Sequence, residues 1–124
     1  MEKIELGPEQ MKIMRVLWRR KRATAQDIKV ELSESEPTKL VNIQVLLKRM
    51  VDKGAISYDI ENRTYIYFPL VNDRNVLQHA LDRFVDHVFD GSMTDMVSFI
   101  FNNRQVSSEV LHEIKKMLDE SERT

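Results

Sequence analysis

Residues 38–69, TKLVNIQVLLKRMVDKGAISYDIENRTYIYFP, carry two periodicities back to back. Up to Lys53 the apolar residues recur at three- and four-residue intervals. Ile43, Leu46, Leu47 and Met50 therefore share one face of a helix. Thr38 stands where an N-cap is expected, and Gly54 where a left-handed residue ends a helix. Beyond Gly54 the period drops to two, with Ile56, Tyr58 and Ile60 on a first strand. A turn at Glu61-Asn62 leads into Arg63-Thr64-Tyr65-Ile66-Tyr67-Phe68, closed by Pro69. The stretch predicts helix, strand, strand.

Upstream, Leu6-Gly7-Pro8-Glu9-Gln10-Met11 reads as a helix start. Pro8 fits the first helical position, where its missing N–H costs nothing, and Gln10 lies three residues after Gly7. Met11, Met14, Leu17 and Trp18 make one apolar face, with Trp18 as a core anchor. The helix ends in the basic cluster Arg19-Arg20-Lys21-Arg22, which suits a helix C-terminus. Thr24 caps a short second helix with Asp27 at its third position and Ile28 and Leu32 inside. Glu34-Ser35-Glu36-Pro37 breaks it. Residues 1–71 thus read helix, helix, helix, strand, strand, with a short turn between the second and third helices. This is the order of a winged helix-turn-helix, whose third helix enters the DNA major groove.

Downstream, residues 72–124 are helical. Asn72 caps a long helix with Val76, Leu77, Ala80, Leu81, Phe84, Val88 and Phe89 as a wide stripe, stopped by Gly91. Ser92 with Asp95 caps a helix through Met96, Val97, Phe99 and Ile100, and Ser107 opens a last helix with Leu111, Ile114 and Leu118 inside. Three short amphipathic helices in roughly 50 residues can hardly bury such stripes alone. A second copy of the chain is the natural cover. The dimer interface is expected at Leu77, Leu81, Phe84, Val88, Phe89, Met96, Val97, Ile100, Leu111, Ile114 and Leu118. The fold class is mainly α with a small β-wing: a winged helix-turn-helix domain over 1–71 and a helical dimerisation domain over 72–124.

Composition narrows the function. The 124 residues include no cysteine, which excludes disulfides, thiolate metal sites and a cysteine nucleophile. No run approaches the roughly 18 apolar residues of a membrane span, and Met1-Glu2-Lys3 opens polar. A cytoplasmic, nucleoid-associated protein without membrane insertion is expected. Residues 1–70 carry 13 Lys/Arg against 10 Asp/Glu, and residues 71–124 carry 6 against 10. The balances of +3 and -4 hint at a polyanion partner for the front half alone. His79 and His87 lie eight apart, more than two helical turns, so they do not make a one-face metal pair. No nucleophile–base pairing, phosphate-cradling glycine loop or HExxH is present. Neither enzyme activity, cofactor nor metal is expected.

The third helix has a second stripe. Val41, Gln44, Val45 and Lys48 cluster nearly opposite its core face, with Asn42 at the N-terminal edge. Exposed Val can meet thymine methyls, Gln or Asn can pair with adenine, and Lys48 can reach guanine or phosphate. The competing reading is tolerated surface valines. The stripe starts near the helix N-terminus, where such helices read bases, which favours Val41, Asn42, Gln44, Val45 and Lys48 as the base-reading set. Arg20, Lys21, Arg22, Thr24 and Arg63 are the DNA-backbone candidates, Arg63 as a wing tip. Of the alternating pairs Tyr65/Tyr67 and Ile66/Phe68, one is expected to pack under the wing.

Leu6 to Trp18, Ala23-Thr24-Ala25-Gln26-Asp27-Ile28, Ile43 to Gly54, Asn62-Arg63-Thr64-Tyr65-Ile66-Tyr67-Phe68-Pro69 and Phe89-Asp90-Gly91-Ser92 resemble the penicillinase and methicillin-resistance repressors of bacteria and their copper-responsive relatives. The resemblance spans nearly the whole chain in order. It implies a homodimer that binds an inverted-repeat operator in double-stranded DNA and blocks transcription. It further implies a membrane-linked sensor protease or another inducer as partner. Three departures stand out. Relatives open the recognition helix with paired threonines and another three residues on, where this chain has Val41, Asn42 and Val45. The Asn-Phe bond cut in the antibiotic-resistance members aligns with Phe99-Ile100. The cysteine-rich tail of the copper members has no counterpart. The alternative is a winged helix used as a protein-interaction module without sequence-specific DNA binding.

Overall fold

A computed structural model describes residues 4–103 and 107–122. The described elements are α1 (Pro8–Arg20), β1 (Ala23–Thr24), α2 (Ala25–Leu32), α3 (Leu40–Asp52), β2 (Ile56–Glu61), β3 (Thr64–Pro69), α4 (Asp73–Val88), α5 (Met93–Asn103) and α6 (Ser108–Glu122). They fall into two compact units that divide between Leu81 and Asp82, so the first half of α4 groups with the elements before it.

The first unit is a three-helix core closed by a sheet. Pro8 opens α1, and the Gly7 N–H donates to Gln10 Oε1 at 3.1 Å. The buried positions of α1 include Ile13, Met14, Val16 and Leu17, so its core face is wider than the Met11, Met14, Leu17, Trp18 stripe. Trp18 is half-buried and its Nε1–H donates to the Val71 carbonyl at 2.9 Å, which ties the end of the sheet to α1. Ile28 of α2, Ile43, Leu47 and Met50 of α3, and Ile56 of β2 complete a cluster of almost fully buried side chains. Each contributes about 1.5–3 kcal/mol by leaving water.

Caps decide where the helices begin. At α2, the Asp27 N–H donates to Thr24 Oγ1 and the Thr24 N–H donates back to Asp27 Oδ2, both at 3.1 Å. These bonds hold the Asp27 carboxyl below the usual carboxylate range; partial desolvation opposes them, and the nearby Arg20 adds to the lowering. The expected cap at Thr38 is not formed. Lys39 is the N-cap of α3, without a side-chain bond. Thr38 instead donates from its hydroxyl to the Glu36 carbonyl and from its N–H to Ser33 Oγ. Following Pro37, it is drawn into fastening the α2–α3 turn. Gly54 has the expected positive φ, +83°.

The sheet is antiparallel in the order β1-β3-β2. The two expected strands pair, with Tyr58 opposite Tyr67, but the turn lies one residue later than expected: Glu61 pairs with Thr64, so the loop is Asn62-Arg63 rather than Glu61-Asn62. The third strand, β1, pairs Ala23 with Tyr67 and Thr24 with Ile66. Two residues are too few to show an alternation, so only the fold reveals it.

The second unit has little buried apolar surface of its own. Phe89 meets Phe84 and Phe99 with ring centroids 5.9 Å apart in each case. Val85 is its buried hydrophobic residue among those described. Between α4 and α5 the chain turns on Asp90 (φ +52°) and Gly91 (φ +84°). The Asp95 N–H donates to Ser92 Oγ and the Val110 N–H to Ser107 Oγ, so both expected N-caps are formed. Asn72 likewise accepts from the Asn75 N–H at 2.8 Å, in the first unit.

Candidate nucleic-acid interface

The periodicity that buries Ile43, Leu47 and Met50 turns the rest of α3 outward. Val41 and Val45 are 57% and 45% exposed, and Asn42, Gln44 and Lys48 are exposed with them. Four of the five residues expected to read bases thus lie on the outer side of α3, while Asn42 stands on its flank and lines a separate cavity toward α1 with Ile43 and Leu46. Thr24, Ala25, Gln26, Leu40, Gln44, Arg63, Thr64, Tyr65 and Tyr67 line one open groove of about 460 Å³. This groove brings together the start of α2, the start of α3 and the hairpin. Gln26 and Tyr65 belong to it although sequence reasoning did not single them out as contacts. Gln26 follows the Thr24 cap by two residues, which sends it to the outer side of α2, and that spacing was the available signal.

The hairpin tip is strained. Asn62 and Arg63 have φ of +50° and +67°, and the Glu61–Thr64 pairing leaves them as a two-residue loop of the primed type. Asn tolerates this region, but for Arg the left-handed conformation costs roughly 1–2 kcal/mol. Arg63 thus stands as an exposed cation at the wing tip.

On the face of the hairpin that lines the groove, the Tyr58 and Tyr65 rings stack at 4.6 Å and Tyr67 lies 5.8 Å from Tyr58. Tyr67 packs on the core; burial pushes its hydroxyl pKa up, and the Tyr65 and Tyr58 hydroxyls add to the rise. Tyr58, Ile60 and Tyr65 remain exposed further out on that face.

The basic cluster after α1 is largely paired within the chain. Arg20 lies 3.5 Å from Asp27 and 3.8 Å from Glu31, and Arg19 also pairs with Glu31. Arg22 reaches across the sheet to Asp59 and Glu61, 3.3 Å from each. Lys21 is exposed at the C-cap of α1. Among the described residues, Lys21, Lys48 and Arg63 make no ion pair, whereas Arg20 and Arg22 of the same candidate set do.

The residues expected at a dimer interface are placed as follows. Leu77, Leu81, Phe84, Val88, Val97, Ile100 and Leu118 are exposed, while Phe89, Met96, Leu111 and Ile114 are half-buried. Among the described residues no group of three or more His, Asp or Glu side chains gathers as a metal ion would need, and no helix is long and apolar enough to cross a membrane.

A helix-turn-helix with an outward-facing second stripe beside a strained basic wing defines a winged-helix regulator of transcription. The penicillinase repressor family model matches residues 6–120, and the chain belongs to that family. It is 26% identical to the penicillinase repressor of Bacillus licheniformis over 121 residues, 97% of this chain and 94% of that protein. To the methicillin resistance regulatory protein MecI of Staphylococcus aureus it is 22% identical over 115 residues, 93% of this chain and 94% of that protein. The solution structure of the DNA-binding domain of the repressor BlaI matches with a TM-score of 0.54 at 23% identity, over 60% of this chain and 90% of that one.

Proposed function

We propose that this bacterial transcriptional repressor binds an inverted-repeat operator in double-stranded DNA as a homodimer and blocks transcription by occupying the promoter. The observation that carries the reading is the outer side of α3. Val41, Gln44, Val45 and Lys48 stand exposed there, with Asn42 on the flank, beside a groove lined by Thr24 and Arg63. A helix of this width fits the major groove, and a twofold protein dimer calls for twofold half-sites. Lys21, Thr24 and Arg63 contact the DNA backbone, with Arg20 and Arg22 held back by their carboxylate partners.

Residues 1–71 form the DNA-binding domain and 72–124 the dimerisation domain. The exposed apolar side chains Leu77, Leu81, Phe84, Val88, Val97, Ile100 and Leu118, with the half-buried Phe89, Met96, Leu111 and Ile114, support that assignment: so many apolar side chains stay in water at a high cost unless a second copy covers them. An inducer, a membrane-linked sensor protease or another signal, releases the operator by breaking this interface. Splitting one two-headed ligand into two weak ones forfeits an effective-concentration gain of roughly 10²–10⁴. The protein acts in the cytoplasm, on the nucleoid, and no catalytic step or cofactor enters the reading.

In vitro selection from random duplex DNA at moderate salt tests this. Enrichment of an inverted repeat is the expected result; a lone half-site would remove the dimer from the reading, and no enrichment would favour a protein-interaction module. Lys48→Glu is expected to lower affinity for the selected site more than tenfold, measured by titration at two salt concentrations.

A further inference from the structure

We propose that α3 recognises its half-site through methyl groups, Val41 and Val45 each packing on the C5 methyl of a thymine in the major groove. The inference rests on the operator-binding reading above and says what that surface discriminates. Val41 and Val45 are not needed by the core, which α3 fills with Ile43, Leu47 and Met50. Nor are they favoured by helix propensity, since β-branched residues stand below Ala, Gln, Lys and Glu. Two such residues, 57% and 45% exposed one turn apart on an otherwise polar face, form a small apolar edge facing out of the fold.

A valine side chain neither donates nor accepts a hydrogen bond, so it cannot tell purine edges apart. In the major groove the apolar feature that distinguishes a base pair is the thymine methyl. Positions four apart on a helix are separated by about 6 Å. Neighbouring bases rise by about 3.4 Å, so the pair spans about two base-pair steps.

The electrostatic setting fits DNA as the occupant. Lys48 lies on the same face, and the first turn of α3 contains no acidic residue. Arg19 and Arg20 balance Asp27 and Glu31, and Arg22 offsets one of the two charges of Asp59 and Glu61, so most of this carboxylate charge is compensated before phosphates approach.

The test uses the full-length protein and the duplex obtained by selection, with deoxyuridine replacing thymidine at each half-site position in turn. Uracil keeps the pairing and removes only the methyl. Wild-type protein is expected to lose about fourfold in affinity at each of two positions about two steps apart, the effect of one buried methylene. The double variant Val41→Ala, Val45→Ala should bind the thymine duplex about as weakly as wild type binds the doubly substituted one, with no further loss on uracil. Equal wild-type affinity for both duplexes overturns the methyl reading and leaves operator binding standing. Uracil sensitivity that persists in the double variant also overturns it, since another side chain would then hold the methyls. Lack of preference for any duplex is the separate failure of operator binding itself. Both substitutions are at exposed helix positions, and an unchanged melting temperature verifies that the variant is folded.

Discussion

The two units of the chain spend their apolar residues in opposite ways. In the first, eight large side chains from α1, α2, α3 and β2 are essentially removed from water. In the second, Phe84, Val88, Met93, Val97, Phe99, Ile100, Phe101, Val110, Met117 and Leu118 are exposed, and Val85 is buried. The helices of both units are amphipathic, so amphipathicity alone does not predict burial. What differs is closure. A sheet and a helix-turn-helix can enclose a core within one chain, whereas the three helices after the wing leave one side of each uncovered. The first unit closes its own core; the second leaves most of its apolar side chains exposed.

The sharpest way to break that contrast is at α4. Replacing Leu81 and Phe84 by Asp is expected to give monomers in sedimentation and to weaken operator binding by roughly 10²–10⁴. Dimers that survive would place the interface elsewhere. Next in size, Leu47→Ala, at a fully buried position, is expected to cost about 2–5 kcal/mol in chemical denaturation. By contrast, Leu118→Ala should matter only as far as a second copy covers it, so its effect on melting should shrink as protein is diluted.

A smaller effect concerns the α2 cap. Thr24→Ala is expected to cost about 1 kcal/mol. Because Asp27 is held below its ordinary pKa of 3.8 in the fold, its contribution is complete above that pH. It is lost as pH falls through the lowered folded value. Asp27→Asn should flatten that acid limb in a pH series of denaturation curves. Smallest on stability is Arg63→Gly, which relieves the positive φ and should stabilise by up to about 1 kcal/mol. The same change should weaken DNA binding and reduce the salt slope by about one ion. A loss of stability would mean that Arg63 is needed for the fold rather than for a partner.

Much of this was readable in advance. Gly54 and Pro8, the change of period after Gly54 and the alternation through Phe68 pinned the helices and the two hairpin strands, because each reflects a local backbone or packing rule; the turn itself lies one residue beyond the expected Glu61-Asn62. The α3 stripe was also readable, since a helix that presents one face to a core must present Val41, Gln44, Val45 and Lys48 away from it. The α3 cap and the β1 strand were not. Thr38 had a choice of partners that the turn decided, and β1 exists because β3 offers a free edge beside Ala23. The ion pairs of Arg20 and Arg22 were equally hidden. Residues 27, 31, 59 and 61 come near that cluster only after α2 and the sheet have packed.

The sequence by itself determined the order and type of the helices and of the hairpin strands, the sidedness of α3 and the surplus of apolar surface after Asn72. Periodicity, turn chemistry and residue size act within a few residues and need no fold to be read. Only the tertiary structure decided which cations of the basic cluster remain unpaired. It also decided which residues line the groove between helix and wing, and at what strain Arg63 sits at its rim. These depend on distances between segments far apart in the chain, and those distances are set by packing rather than by any local rule.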